Sequence, residues 1–289
     1  MMRKKVTFIG LGVMGYPMAG HLKKNNFEVT VYNRTSSKSD KWVSEYGGFS
    51  ESTPGKASQT SEIIFICVGK DSDLREVMEG EEGILKNVRE NTIIVDHTTA
   101  SANIAREYFE ICKNHNLHFL DAPLSGGQAG AENGKLSIMV GGEKEPFSIV
   151  EPDLLVYGKA VELIGKSGSG QLTKMINQIC IAGLVQGLSE AMSFGAKSNL
   201  DMEKVLKVIS KGAAQSWQME NRYRTMFVGN FDFGFAVDWL RKVLWICFEE
   251  AKKNNANLPI TDIVDQYYSE VQKIGGNRWD TSSLIALLK

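Results

Sequence analysis

The run Phe8-Ile9-Gly10-Leu11-Gly12-Val13-Met14-Gly15 follows the apolar residues after Lys5 and leads into Tyr16-Pro17-Met18-Ala19-Gly20-His21-Leu22. It is a GxGxxG turn at the end of a predicted strand and the start of a predicted helix, the context that gives this motif its meaning. Gly10 permits the tight turn, Gly12 lets backbone approach a pyrophosphate, and Gly15 permits close packing of the helix on the sheet. The N–H groups at the helix N-terminus would hold the phosphate charge, with Leu11, Val13 and Met14 completing the cofactor-facing turn.

Outward from this turn, short apolar runs alternate with amphipathic stretches as far as about Gly142, the rhythm of βα units around a buried parallel sheet. Strands are expected at Val6–Ile9, Glu28–Tyr32, Ile63–Val68, Thr92–Asp96, His118–Asp121 and Leu136–Gly141, with helices at Val13–Asn25 and Ala102–Asn116. After about Gly165 strand-like runs disappear, and Gln171–Asn199 offers a proline-free run of helix formers that would span roughly 45 Å. Further helices are expected at Asp201–Lys211, Asp238–Asn254 and Thr261–Ile274. Asp280-Thr281-Ser282-Ser283 would supply caps for a last one, Leu284–Leu288. The fold class is α/β: an N-terminal Rossmann doubly wound sheet over residues 1–165, then an all-α C-terminal domain over residues 166–289, joined by a long interdomain helix. A chain of 289 residues has the length for two such domains.

Composition narrows the partners. Hydrophobic residues make up 43% and charged residues 23%, with 28 glycines and 6 prolines, a globular profile that argues against disorder. Thirty-three Lys plus Arg against 34 Asp plus Glu leave a net charge of −1, so no field of one sign draws nucleic acid or an acidic membrane. A small molecule is the expected partner. Cys67, Cys112, Cys180 and Cys247 are scattered with no CxxC pair, which reads as reduced thiols rather than a metal site. The basic opening Met1-Met2-Arg3-Lys4-Lys5 enters a strand without a cleavage site, and no run approaches the roughly 18 apolar residues of a membrane span. A cytoplasmic location is expected.

Where the second strand ends, a carboxylate would normally hold the ribose hydroxyls of NAD; here stand Asn33-Arg34-Thr35. An adenosine 2′-phosphate would be repelled by a carboxylate and bound by the planar fork of Arg34, with hydroxyls at Thr35 and Ser36 assisting. NADP(H) is the expected cofactor, with NAD(H) possible. Ser125-Gly126-Gly127 also follows a strand, so its hydroxyl and bare backbone N–H groups can meet a ligand at the carboxyl end of the sheet.

The segment Gly10–Leu22 closely resembles the opening signature of the 3-hydroxyisobutyrate dehydrogenase, or β-hydroxyacid dehydrogenase, family. Asp121-Ala122-Pro123-Leu124-Ser125-Gly126-Gly127 resembles its substrate-binding loop. Gly170-Gln171-Leu172-Thr173-Lys174-Met175-Ile176-Asn177-Gln178 resembles the helix of its catalytic lysine, and Phe235 followed by Lys242 its last substrate- and cofactor-facing block. The resemblance implies hydride transfer between a nicotinamide and a small hydroxy acid or semialdehyde carboxylate. Lys174 would be the general acid of reduction and the base of oxidation, a role open to a lysine whose ammonium form is destabilised by burial or a positive neighbour. Asn177 and Gln178 share its helix face and would orient the lysine or the substrate oxygen. It further implies that Thr99, in Asp96-His97-Thr98-Thr99, contacts the nicotinamide side and that Val68-Gly69-Lys70 lies along the cofactor; His97 reads as structural.

Two positions depart from the family pattern. The amide at the fourth place after the lysine is Gln178 where Asn is usual, and Lys242 is followed by Val243 where Asp is usual. Asp238, one turn before Lys242, has the spacing of an ion pair that would compensate. The expected substrates are 3-hydroxyisobutyrate, tartronate semialdehyde, succinic semialdehyde with 4-hydroxybutyrate, or glyoxylate, and Arg222 is a candidate for a second carboxylate. A catalytically silent NADP-binding interaction module and an imine reductase-like activity are the alternatives, and the presence of Lys174 counts against both. The resemblance also implies a homodimer or homotetramer.

Overall fold

The computed structural model describes residues 4–288; Met1–Arg3 of the basic opening, and Lys289, lie outside them. The chain divides into two compact units, the first running to Lys174 and the second starting at Met175. In chain order the first unit contains β1 (Lys5–Ile9), α1 (Gly15–Lys24), β2 (Glu28–Tyr32), α2 (Ser36–Tyr46), β3 (Phe49–Ser50), α3 (Pro54–Ser58), β4 (Ile63–Ile66) and α4 (Asp71–Glu79). It continues through β5 (Ile93–Asp96), α5 (Ala102–Asn114), β6 (His118–Asp121), β7 (Leu124–Ser125), α6 (Gly127–Glu132), β8 (Leu136–Gly141), α7 (Lys144–Leu154) and β9 (Gly158–Gly165).

The sheet order is β3-β2-β1-β4-β5-β6-β8-β7, with β9 beside β8. From β3 to β6 every pairing is parallel. The chain winds outward in opposite directions from the β1/β4 pair, so the crevice outside the carboxyl end of β1 is the place where sheets of this kind bind ligands. Both faces are covered. Val6 and Phe8 of β1 pack with Met18, Leu22 and Trp42 on one side. Ile9, Ile64 and Ile66 pack with Leu74, Ile104 and Tyr108 on the other. Two buried faces explain why β4 reads as an unbroken apolar run, Ile63-Ile64-Phe65-Ile66.

β6 and β7 are one strand interrupted at Ala122-Pro123. Asp121 pairs with Gly141, Leu124 with Ile138 and Ser125 with Ser137 in a single antiparallel register. Pro123 has no N–H to give, but its carbonyl accepts from Met139 N–H at 3.1 Å, so the ladder survives the break. This continuation carries Ser125 beyond the point where the other parallel strands stop.

α8 (Ser169–Lys197) is the long helix expected from Gln171–Asn199, 29 residues in length. Its first turn belongs to the first unit and the rest to the second, so the first unit extends past residue 165. The second unit is helical: α9 (Met202–Ile209), α10 (Trp217–Val228), α11 (Val237–Asn254) and α12 (Pro259–Lys273) follow α8. Among the described residues α8 is the one helix long and apolar enough, by length and composition, to cross a membrane, which corrects the expectation that no run approaches that size. Its Ala182 and Val185 form a core with Leu240, Leu244, Val264 and Tyr268. The last helix opens at Thr281, earlier than expected, and is a 3₁₀ helix rather than an α-helix. Asp280 caps it by accepting from Ser282 N–H and hydroxyl.

Gly141 lies against the buried carboxylate of Asp121: a Cβ there would stand 2.6 Å from Asp121 Oδ1 and 2.8 Å from Gly170 N. Gly141→Ala is therefore expected to lower stability by about 1–3 kcal/mol in a urea titration, through overpacking. Gly187→Ala, on α8 where an added Cβ meets nothing within 4 Å, should raise it by up to about 1 kcal/mol through helix propensity.

Candidate active site

The glycine turn is built as its sequence predicts. Gly10 has φ +95°, and a Cβ on it would collide with the Cys67 carbonyl. A Cβ on Gly15 would run into the carbonyl of Gly10 and stand 2.9 Å from the Phe8 ring, so the third glycine is what lets α1 lie on β1. At Gly12 an added Cβ would meet nothing within 4 Å, and no side chain caps the N-terminus of α1. An open backbone approach beside an uncapped helix N-terminus is what a dinucleotide pyrophosphate requires, so these residues fit the cofactor they were expected to hold.

Asn33 has an internal part to play. Its Oδ1 accepts from Leu11 N–H at 2.9 Å and its Nδ2 donates to the Thr35 carbonyl at 3.0 Å, tying the glycine turn to the β2–α2 turn. Arg34, 87% exposed at the side chain, stands 3.7 Å from Asp73 Oδ1 on α4. Thr35 is the N-cap residue of α2 without a side-chain capping bond.

The loops after β4 and β5 are knitted together. Val68 lies just past the end of β4, which stops at Ile66 rather than Val68, and donates its N–H to Thr98 Oγ1 at 3.1 Å. Gly69 and Lys70 follow into α4, whose first residue, Asp71, accepts from Ser101 N–H at 3.0 Å and Ser101 hydroxyl at 2.6 Å. Thr99 is held from both sides by Gln171, a residue that the sequence did not single out. Gln171 Nε2 donates to the Thr98 carbonyl at 2.7 Å, and Gln171 Oε1 accepts from Ala100 N–H at 3.1 Å.

Ser125, Gly126 and Gly127 close β7 and open α6, with φ of +132° at Gly126 and +60° at Gly127. Those angles exclude most side chains, and no side chain caps α6. His21 of α1 bonds through Nε2 to the Ala131 carbonyl of α6 at 2.9 Å, joining the glycine-turn helix to the Ser-Gly-Gly helix.

Lys174 is 8% exposed, one turn into α8. The turn before it is anchored by Asp121, quoted above only as part of the substrate-loop block: Oδ1 accepts from Gly168 N–H at 2.7 Å and Oδ2 from Gln171 N–H at 2.9 Å. A carboxylate ending an apolar strand was the available signal, but the helix that it caps is far along the chain. Within the first unit, therefore, the glycine turn, Asn33–Thr35, Val68–Gly69, Thr99, Ser125–Gly127 and Lys174 all belong to connections at the carboxyl ends of β1, β2, β4, β5 and β6 or anchored there.

In the second unit Gln178 is 1% exposed. Its Oε1 accepts from Asn177 Nδ2 at 2.8 Å, and its Nε2 is a buried donor with no acceptor. Phe235 N–H donates to Asp280 Oδ2 at 2.9 Å. Lys242 Nζ lies 5.7 Å from the centre of the Trp239 ring. Asp238, expected to face Lys242, turns to α12 and the 3₁₀ turn after it, accepting from Gln272 Nε2 at 2.6 Å and Asn277 Nδ2 at 3.2 Å. Val243 is 2% exposed, so an Asp there would be a buried charge. Arg222 pairs with buried Asp280 at 3.3 Å, between the rings of Trp217 and Phe233, which gives its guanidinium an internal partner in place of the expected second carboxylate.

Under the loops the electrostatics favour neutral forms. His97 donates through Nδ1 to the Ala122 carbonyl and accepts at Nε2 from the Tyr157 hydroxyl, and burial pushes its pKa down to about 4. It is structural. Burial pushes Asp96 up to about 7, against a bond from Thr98 N–H to its Oδ1; its Oδ2 has no partner. Burial also raises the thiols of Cys67, Cys112 and Cys247 to about 12, which makes them packing groups.

Comparison with known proteins adds independent findings. Residues 5–165 match the family model for the NAD binding domain of 6-phosphogluconate dehydrogenase. Residues 168–288 match that described as NAD-binding of NADP-dependent 3-hydroxyisobutyrate dehydrogenase. An uncharacterized oxidoreductase of Shewanella frigidimarina is 58% identical over 99% of this chain and 98% of its own. The 2-hydroxy-3-oxopropionate reductase of Escherichia coli is 33% identical over 99% and 97%. The solved structure of 3-hydroxyisobutyrate dehydrogenase from Mycobacterium tuberculosis with L-serine shares the fold, at a TM-score of 0.88 and 22% identity, covering 100% of both chains.

The two buried groups give opposite pH dependences. Asp96 moves from 3.8 to about 7, so the folded state holds an extra proton in that window and stability falls as pH rises through it. His97 moves from 6.5 to about 4, so stability falls as pH drops through that window. Asp96→Asn removes the first contribution alone: urea titrations should show its stability relative to wild type growing steadily from pH 4 to 7. An offset independent of pH would contradict the burial effect.

Proposed function

The chain belongs to the β-hydroxyacid dehydrogenase family and is an NAD(P)-dependent oxidoreductase acting on CH–OH groups; from that premise we propose that it uses NADP(H) in preference to NAD(H) on a short semialdehyde carboxylate or the matching hydroxy acid. Tartronate, methylmalonate and succinic semialdehydes and glyoxylate are the substrates of this class to test first. The observation that carries the reading is the buried Lys174, on a helix whose first turn is bonded to the carboxyl end of the sheet.

Bound NADP(H) supplies or receives the hydride. Gly10–Gly15 would hold the pyrophosphate at the α1 N-terminus, with Val68, Gly69 and Thr99 as the first unit's further cofactor contacts; Lys242 would be the second unit's cofactor contact. Arg34 and the hydroxyl of Thr35 would take the 2′-phosphate at the uncapped start of α2. The exposed Arg34–Asp73 pair at 3.7 Å is weak, so Asp73 would yield the guanidinium to a phosphate dianion. Ser125 and the N–H groups of Gly126 and Gly127 would hold the substrate carboxylate; Phe235 would be the second unit's substrate contact.

The proton is moved by Lys174. Its Nζ protonates the substrate oxygen during reduction and takes the proton back during oxidation. Gln178 Nε2, a buried donor lacking an acceptor, donates to the same oxygen, while Asn177 fixes the orientation of the amide by bonding its Oε1. In this reading Gln178 makes the substrate contact and Asn177 supports it.

Two measurements test the reading through absorbance at the nicotinamide band. Lys174→Ala should lower kcat by about three orders of magnitude with semialdehyde, from loss of the positioned proton donor, while NADPH still binds; turnover equal to wild type would exclude the lysine. Arg34→Ala should raise KM for NADPH by about tenfold or more and leave that for NADH nearly unchanged. Equal changes for the two cofactors would refute the 2′-phosphate assignment.

A further inference from the structure

We propose that Asp121 and Gln171 are the positioning residues of Lys174, forming one buried link that registers the lysine helix against the Thr98–Ala100 loop; this rests on the role of Lys174 given above. Asp121 has no exposed surface, and it takes the N–H groups of Gly168 and Gln171 at 2.7 and 2.9 Å. Its two oxygens therefore fix both the position and the rotation of the first turn of α8. Lys174 stands three residues after Gln171 on that helix, so any rotation of the turn swings its Nζ sideways.

Gln171 carries the constraint across to the loop. The backbone N–H ties it to Asp121, and its side chain, 1% exposed, engages Thr98 and Ala100 on either side of Thr99. A side-chain amide is the group that can donate to a carbonyl and accept from an N–H at once, so Glu or Leu cannot replace it. Space enforces the arrangement. A Cβ on Gly170 would stand 2.6 Å from the Asp121 carbonyl and 2.8 Å from its Oδ2, and one on Gly141 would enter the same carboxylate. The helix start, the strand end and the loop thus move as one body, and the proton donor keeps a set distance from whatever Thr99 contacts.

The test uses the full-length enzyme with Gln171→Leu as the main variant and Asp121→Asn as the second; should the latter fail to fold, the former decides. Hydrogen–deuterium exchange is followed at Ala100 and at Leu172–Ile176. Turnover is measured with NADPH and with NADPH deuterated at the transferred position. Gln171→Leu should lower kcat about tenfold or more, as expected of misplacement near 1 Å, with KM for NADPH within about threefold of wild type. The isotope effect on kcat should rise as the chemical step slows, and exchange should quicken at Ala100 and around Lys174. A fall in kcat with an unchanged isotope effect would indicate only a smaller folded fraction and overturn the proposal, as would wild-type kinetics. If wild type has no Lys174-dependent turnover, the functional reading fails separately. Exchange around Lys174 then decides the structural link, and wild-type rates there in Gln171→Leu overturn it.

Discussion

Asp121 ends the central strand β6 with none of its surface exposed, and the N–H groups at the start of α8 converge on it. A carboxylate taken out of water is unfavourable unless donors replace the lost hydration, and burial pushes its pKa up while those N–H groups pull it down. The positive end of a 29-residue helix is a strong compensating partner. Each therefore needs the other: the carboxylate is tolerable because the helix begins there, and the helix begins there because its first donors have an acceptor. The course of the chain from sheet into helix, and with it the position of Lys174, depends on this exchange.

The same economy of partners recurs around the site. Asn33 joins the glycine turn to the next loop, Thr98 receives Val68, Asp71 receives Ser101, and His21 joins α1 to α6. These polar side chains bond to backbone, each tying one loop or helix to another. Beneath them His97, Tyr157 and Asp96 provide a dry floor in which neutral forms are favoured. Donors and loops set in place before a reaction need no reorganisation during it, which is the main physical advantage of such a scaffold.

Legibility followed distance along the chain. The glycine turn, the strands of the sheet and α8 were readable because a tight turn, a doubly buried strand and a long helix each impose a pattern on adjacent residues. α2 was not, since Ser36–Tyr46 is mostly polar and is held by Trp42, which reaches a core built by other elements. β3, β7 and β9 were missed because two are only two residues long and the third lies at the edge of the sheet. Arg222 and Asp238 looked available for ligand or lysine because their partners, Asp280 and Gln272, come from later elements.

The amino-acid sequence by itself determined the βα order, the dinucleotide turn and the helical second half, because each of these is specified within one or two turns of chain, whereas Lys174 and its two neighbouring amides stood out only through the family resemblance. Only the tertiary structure decided that Asn33 is a brace, that Gln178 holds the unsatisfied donor, and that Asp121 and Gln171 anchor the lysine helix. Those last bonds join residues 47 to 73 positions apart. No periodicity or local spacing reports a contact of that range; it exists only once packing has excluded water and left each buried polar group to find its partner.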